Sequence, residues 1–133
     1  VRAVRKRTWP PRSVARIVVV DDPIEPAPGG NLIPGVAGLV DDINREFREK
    51  LKMMVDGMAG QLTSEDLTAT GVLAEGDPKK EIVRIAEEWG ANCIFVGSTG
   101  FSGRLERFLI GSVSSAIAAR AHCTVEVVRE PKE

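Results

Sequence analysis

Cys93-Ile94-Phe95-Val96-Gly97-Ser98-Thr99-Gly100 carries four apolar residues straight into a glycine turn. An unbroken apolar run of that length reads as a strand covered on both faces, the mark of a parallel sheet between helices. Upstream of it, Gly76-Asp77-Pro78 starts a helix, with Asp77 suited to the N-cap and Pro78 to the first helical position. Ile82, Val83, Ile85, Ala86 and Trp89 give that helix a buried face, and Gly90 stops it. Downstream, a helix from about Gly111 to Ala121 leads to a last strand, Thr124 to Val128.

The first half repeats the alternation. Ala15-Arg16-Ile17-Val18-Val19-Val20 is a β-branched strand bounded by Asp21-Asp22-Pro23. Pro23 to Gly35, with Pro26, Pro28, Gly29, Gly30 and Pro34, reads as a loop. Val36, Leu39, Val40, Ile43, Phe47, Leu51, Met54, Val55, Met58 and Leu62 recur at steps of three and four, which predicts one long helix with a core stripe. Asp41, Asp42, Arg45, Glu46, Arg48 and Glu49 form its solvated face, and the methionines read as packing. A short strand spans Leu67 to Leu73. Val1 to Arg7 reads as a helix end or a basic arm, stopped at Trp9-Pro10-Pro11. The order β-α-β-α-β-α-β implies parallel strands joined by right-handed crossovers. The expectation is one domain over residues 1–133: a flavodoxin-like open parallel sheet with helices on both faces.

Composition narrows the function. Net charge is −1, so no global charge draws the chain to DNA or to a membrane. Arg2, Arg5, Lys6, Arg7, Arg12 and Arg16 crowd one end, where a solvated arm is the plain reading. Cys93 and Cys123 show no metal spacing and read as free thiols. No apolar run approaches the roughly 20 residues that span a bilayer. A cytoplasmic protein is expected.

The segment from Gly97 to Ser115 carries the chemistry. It leaves the carboxyl end of a strand and feeds a helix, the edge at which open α/β sheets bind ligands. Glycines let backbone N–H groups approach phosphate oxygens. The helix from Gly111 offers unpaired N–H groups and a positive dipole end to an anion, and Ser112 and Ser114 add hydroxyls. No Gly-Lys-[Ser/Thr] occurs, so this is not a Walker A loop, and it is not G-x-G-x-x-G either. A ligand-free glycine turn with a serine-capped helix fits the same spacing, and spacing alone does not separate the two.

Glu75-Gly76-Asp77-Pro78, Val96-Gly97-Ser98-Thr99-Gly100 and Ile110-Gly111-Ser112-Val113-Ser114 strongly resemble the C-terminal half of universal stress proteins. The resemblance is specific from Glu75 to Arg129 and weak before Asp66. It implies the adenine nucleotide alpha-hydrolase-like form of the fold. In part of that family, Gly-x-x-Gly followed by Gly-[Ser/Thr] implies ATP binding, possibly with Mg²⁺. By position, Gly97 and Gly100 lie against ribose and phosphates, Gly111, Ser112, Val113 and Ser114 against phosphate, and the backbone near Val19 or Val20 against adenine. The resemblance also implies a homodimer through the last strand, Val125 to Val128, whose edge pairs with its own copy.

Two departures matter. Ten residues separate Gly100 from Gly111, one more than the family spacing. The family also opens with a central apolar strand ending in Asp, then a helix, whereas this chain opens where that helix would end. The expectation is an N-terminally incomplete domain with open strand edges at its centre. A non-nucleotide interaction module of the same fold, also dimeric, is the alternative.

Other sites read weakly. Asp21-Asp22 resembles the acidic pair of receiver domains, but the partner Asp and Lys at later strand ends are missing. His122 is the one histidine and stands beside Cys123, facing the other way on an extended chain. No dedicated general base, nucleophile or metal ligand set emerges, so any hydrolysis is expected to be slow.

Overall fold

A computed structural model describes residues 1–23, 35–98 and 111–129. In chain order its elements are α1 (Arg2–Arg5), β1 (Ser13–Asp21), α2 (Val36–Leu62), β2 (Leu67–Glu75), α3 (Pro78–Trp89), β3 (Cys93–Gly97), α4 (Ser112–Arg120) and β4 (Thr124–Val128). Helix α3 starts as its sequence dictates. Asp77 Oδ1 accepts from the Lys79 N–H at 3.0 Å, and Pro78 gives up an N–H the helix start does not need. It ends at Gly90, whose φ of 73° is left-handed, where the Ala91 N–H closes on Ala86 O at 2.9 Å.

All pairings are parallel. β1 pairs with β2 from Ser13↔Leu67 to Asp21↔Glu75, and β3 with β4 from Cys93↔Thr124 to Gly97↔Val128. The two ladders are separate among the described residues: β1 and β3 share no hydrogen bonds. Side chains and helices tie the halves together instead. α3 packs against both α4 and β1, and the Arg16 guanidinium lies 4.6 Å over the Trp89 ring. Trp9 meets Phe95 edge-on at 5.9 Å, and Arg7 stacks on Phe95 while pairing with Glu126.

The core sits at two places. Val55, Ala59 and Leu62 of α2 are buried with Leu67 of β2. Gly71 makes that approach possible, because a Cβ there would lie 3.1 Å from the Val55 backbone. Ile117 of α4, at 0 % exposed, anchors the other half. The predicted stripe of α2 is buried only toward its C-terminal end. Leu39, Ile43 and Phe47 are 60 %, 47 % and 54 % exposed, and Met53 and Met54 are exposed too. No described element packs over that side of the helix, so helical spacing alone overstated the burial.

Candidate functional site

Three bonds fix the end of β3, one to β4 and two to the start of α4. The Ser98 N–H donates to Val128 O at 2.9 Å, extending the ladder by one residue, and the Gly111 N–H donates to Ser98 O at 2.7 Å. Ser114 Oγ donates to Gly97 O at 2.6 Å. Ser98 and Ser114 are both buried, so the serine hydroxyl acts as a pin inside the protein. Gly111 suits this neck, since a Cβ there would stand 3.1 Å from Ser98 O.

Among the described residues no side chain caps α4 at Gly111. The first N–H groups of a helix have no intrahelical acceptor. With the Gly111 amide engaged by Ser98, those of Ser112, Val113 and Ser114 have no partner among the described residues and could meet an anion at the positive end of the dipole. Gly97, Gly111, Ser112, Val113 and Ser114 therefore come together as the sequence suggests. Two of the expected donors are nonetheless committed elsewhere: the Gly111 N–H and the Ser114 hydroxyl. Gly100, and the turn with Arg104, Glu106 and Arg107, lie outside the described residues.

Val19 and Val20 stand at the carboxyl end of the other half-sheet. Their surroundings are acidic. Asp21 is 3 % exposed, with Arg48 Nη1 3.9 Å from Oδ2. The same Arg48 nitrogen lies 3.3 Å from Glu75 Oε2. Arg48 is an exposed residue of α2, as the sequence suggests, with its side chain 45 % exposed; its reach to these carboxylates is what sequence reading missed. At about 100° per residue it lies close to the line of Val55 that meets the sheet, and that signal was available. Asp21 is thus an ion-pair partner, and among the described residues no group of three or more His, Cys, Asp or Glu is placed to hold a metal.

Two open grooves lie away from the neck. One of about 550 Å³ runs between β2 and α3, beside Arg16, Glu81, Arg84 and Trp89. The other, of about 440 Å³, lies between α2 and β2 beside Arg45, Lys52 and Asp56. His122 Nε2 is 3.7 Å from Glu87, at an exposed helix end. Burial, and then the charge of Glu126, push the Cys93 thiol above its ordinary range, which opposes a nucleophilic thiolate. No described helix is long and apolar enough to cross a membrane.

Residues 11–129 match the family model described as the universal stress protein family. Universal stress protein MJ0531 of Methanocaldococcus jannaschii is 37 % identical over 98 residues, covering 74 % of this chain and 53 % of that protein. Universal stress protein YxiE of Bacillus subtilis is 31 % identical over 90 residues, covering 68 % of this chain and 60 % of its own. The chain therefore spans about half to three-fifths of the length of these relatives. Among solved structures, protein MJ0577 superposes with a TM-score of 0.74 at 23 % identity, covering 99 % of this chain and 85 % of that one. Protein PH0823 gives 0.71 at 19 %, covering 99 % and 86 %. These two likenesses show the fold: α/β, with parallel strands and helices. With a family model spanning nearly all of its residues, a neck built from the motif glycines and two such relatives, the chain belongs to the universal stress protein family.

Proposed function

We propose that this domain is a stress-response regulatory module that binds ATP or a related adenine nucleotide, with at most slow hydrolysis. One observation carries the reading: the neck holds α4 at the end of β3 with no cap among the described residues on its N-terminus, where the Ser112, Val113 and Ser114 amides suit phosphate. Charge gives the ligand a direction. Asp21, Asp22 and Glu75 lie at the ends of β1 and β2, with Arg48 between Asp21 and Glu75, so a neutral base suits Val19 and Val20 and the anionic tail suits α4. Mg²⁺ would enter with the phosphates, since the described residues offer it no cluster of their own. The cytoplasm and a homodimer through Val125–Val128 belong to the same reading.

Equilibrium titration with ATP, with and without Mg²⁺, tests it. Ser112→Pro is the informative variant. Gly111 has φ −58° and ψ 156°, a conformation that a following proline accepts, and proline is tolerated at the first helical position. The variant should keep its circular dichroism and lose ATP affinity by at least tenfold. Absence of binding to the unmodified chain at millimolar ATP removes the nucleotide reading. The second reading, an interaction module without nucleotide, is favoured by the engagement of the Gly111 amide and the Ser114 hydroxyl within the protein.

A further inference from the structure

The edge of β2 turned away from β1 is only partly closed. The Ser13 N–H donates to Asp66 O, and the Gly76 N–H to Asp21 O. In a parallel ladder the N–H and C=O of one residue point the same way and alternate along the strand. Thr68, Thr70, Val72 and Ala74 therefore bond toward β1, and Leu67, Ala69, Gly71, Leu73 and Glu75 turn outward. The end of α2 occupies the first two outward residues. The Ser64 N–H donates to Leu67 O at 2.8 Å, and the Ala69 N–H donates to Thr63 Oγ1 at 3.1 Å. Among the described residues nothing bonds to the outward backbone groups of Gly71, Leu73 or Glu75.

A strand edge is ordinarily blunted by lysine, proline or a bulge. Residues 67–75 hold neither lysine nor proline, and their ladder with β1 runs unbroken from end to end. The open stretch borders a groove on each face, one beside α2 and one beside α3. On the α2 side the Val55 backbone lies over Gly71 and Arg48 reaches Glu75, so Lys52 stands between them near Leu73. Arg48 is engaged by Asp21 and Glu75, and Arg45 by Asp42. Lys52 has no ion-pair partner among the described residues, although Glu49 and Asp56 line the same groove. On the α3 side Glu81 and Glu88 both hold Arg84, which leaves one negative charge in excess. Arg16, one strand further in, is engaged over the Trp89 ring.

We propose that residues 71–75 of β2 take up an extended peptide segment of a partner protein as one added strand. An acidic side chain of that segment faces Lys52, and a basic neighbour faces Glu81 and Glu88. Adjacent residues of an extended chain point to opposite faces, so one acid–base pair meets both flanks at once. Bonds to the β2 backbone supply affinity whatever the sequence, and the two grooves select among sequences. Charge complementarity also favours a foreign segment over a second copy, because β2 itself contains no adjacent acid–base pair. This site is separate from α4 and stands with or without a nucleotide there.

The test titrates the 133-residue chain with the blocked peptide acetyl-Thr-Val-Lys-Glu-Val-Thr-Thr-amide and follows amide hydrogen exchange. At saturation the Gly71 and Leu73 amides should exchange at least tenfold more slowly, and those of Val72 and Ala74, already bonded to β1, should change far less. Methylating the backbone nitrogens of the peptide's Lys and Glu should abolish binding, since one of the two faces β2 in either strand direction. Lys52→Glu alters an exposed position and should keep the fold while weakening the peptide at least threefold. A peptide with Lys in place of its Glu should lose as much against the unmodified chain and regain it against Lys52→Glu. No protection of Gly71 and Leu73 at millimolar peptide overturns the proposal, as does binding that the methyl groups leave unchanged. Slow exchange of these amides in the free chain also overturns it, because the edge is then already covered. Protection that rises with protein concentration makes a second copy the occupant and overturns it too. Equal affinity for every charge pattern overturns the assignment of Lys52, Glu81 and Glu88 and leaves strand addition standing.

Discussion

Ser114 lies 3 % exposed, its hydroxyl on Gly97 O at 2.6 Å. Its position three residues after Gly111 marks it in the sequence as a donor to a ligand, whereas packing turns it inward to hold the neck. Spacing along the chain places a hydroxyl near a helix start, but the choice between a ligand and a carbonyl depends on where the preceding strand ends in space. Ser114→Ala should lower unfolding free energy by about 1–2 kcal/mol in denaturant titration, and it should weaken anion binding only through the loosened neck. Cys93 answers to its surroundings as well. Because burial raises its pKa, the folded chain keeps a proton that the unfolded chain has released at alkaline pH. Stability therefore declines as pH rises through the ordinary thiol range, and iodoacetamide should modify Cys93 more slowly at pH 8 in the folded protein than in urea.

At the scale of elements, α3 was legible in its bounds, because its signals are local, although its expected buried face is only half-buried. Asp77, Pro78 and Gly90 each act on backbone groups within a few residues. Gly90→Ala should cost about 1 kcal/mol, since φ is 73° and a Cβ resists that conformation. Helix α2 was legible in extent and only partly in environment. Periodicity says which residues share a side, but not whether anything covers that side. Leu62→Ala, in the buried part, should cost about 2–5 kcal/mol. Ile43→Lys with Phe47→Lys, in the open part, should leave the melting temperature of this chain nearly unchanged and reduce its binding of a hydrophobic dye. A large loss of stability in the double lysine variant would show that the stripe is covered after all.

At the scale of the whole molecule, the alternation of strands and helices was enough for the α/β class, because right-handed crossovers leave few arrangements. The break between β1 and β3 is a long-range property that no local pattern encodes. It was expected only from the family's first strand, set against the residues present here. The outer edge of β4 gives the dimer reading its own test. Ser98 and Val128 fix the direction of that strand: Thr124, Glu126 and Val128 bond toward β3, so Val125 and Val127 turn their N–H groups outward. Val127→Pro should therefore leave the fold intact and convert a dimer to a monomer in sedimentation velocity. Persistence of the dimer would place the interface elsewhere.

The chain has two tryptophans, and both lie where one half-sheet touches the other: Trp9 against Phe95, and Trp89 beneath Arg16. Any rocking of the halves must disturb one ring or the other. The protein thus carries its own optical gauge, and a shift in intrinsic emission would report the motion without a label.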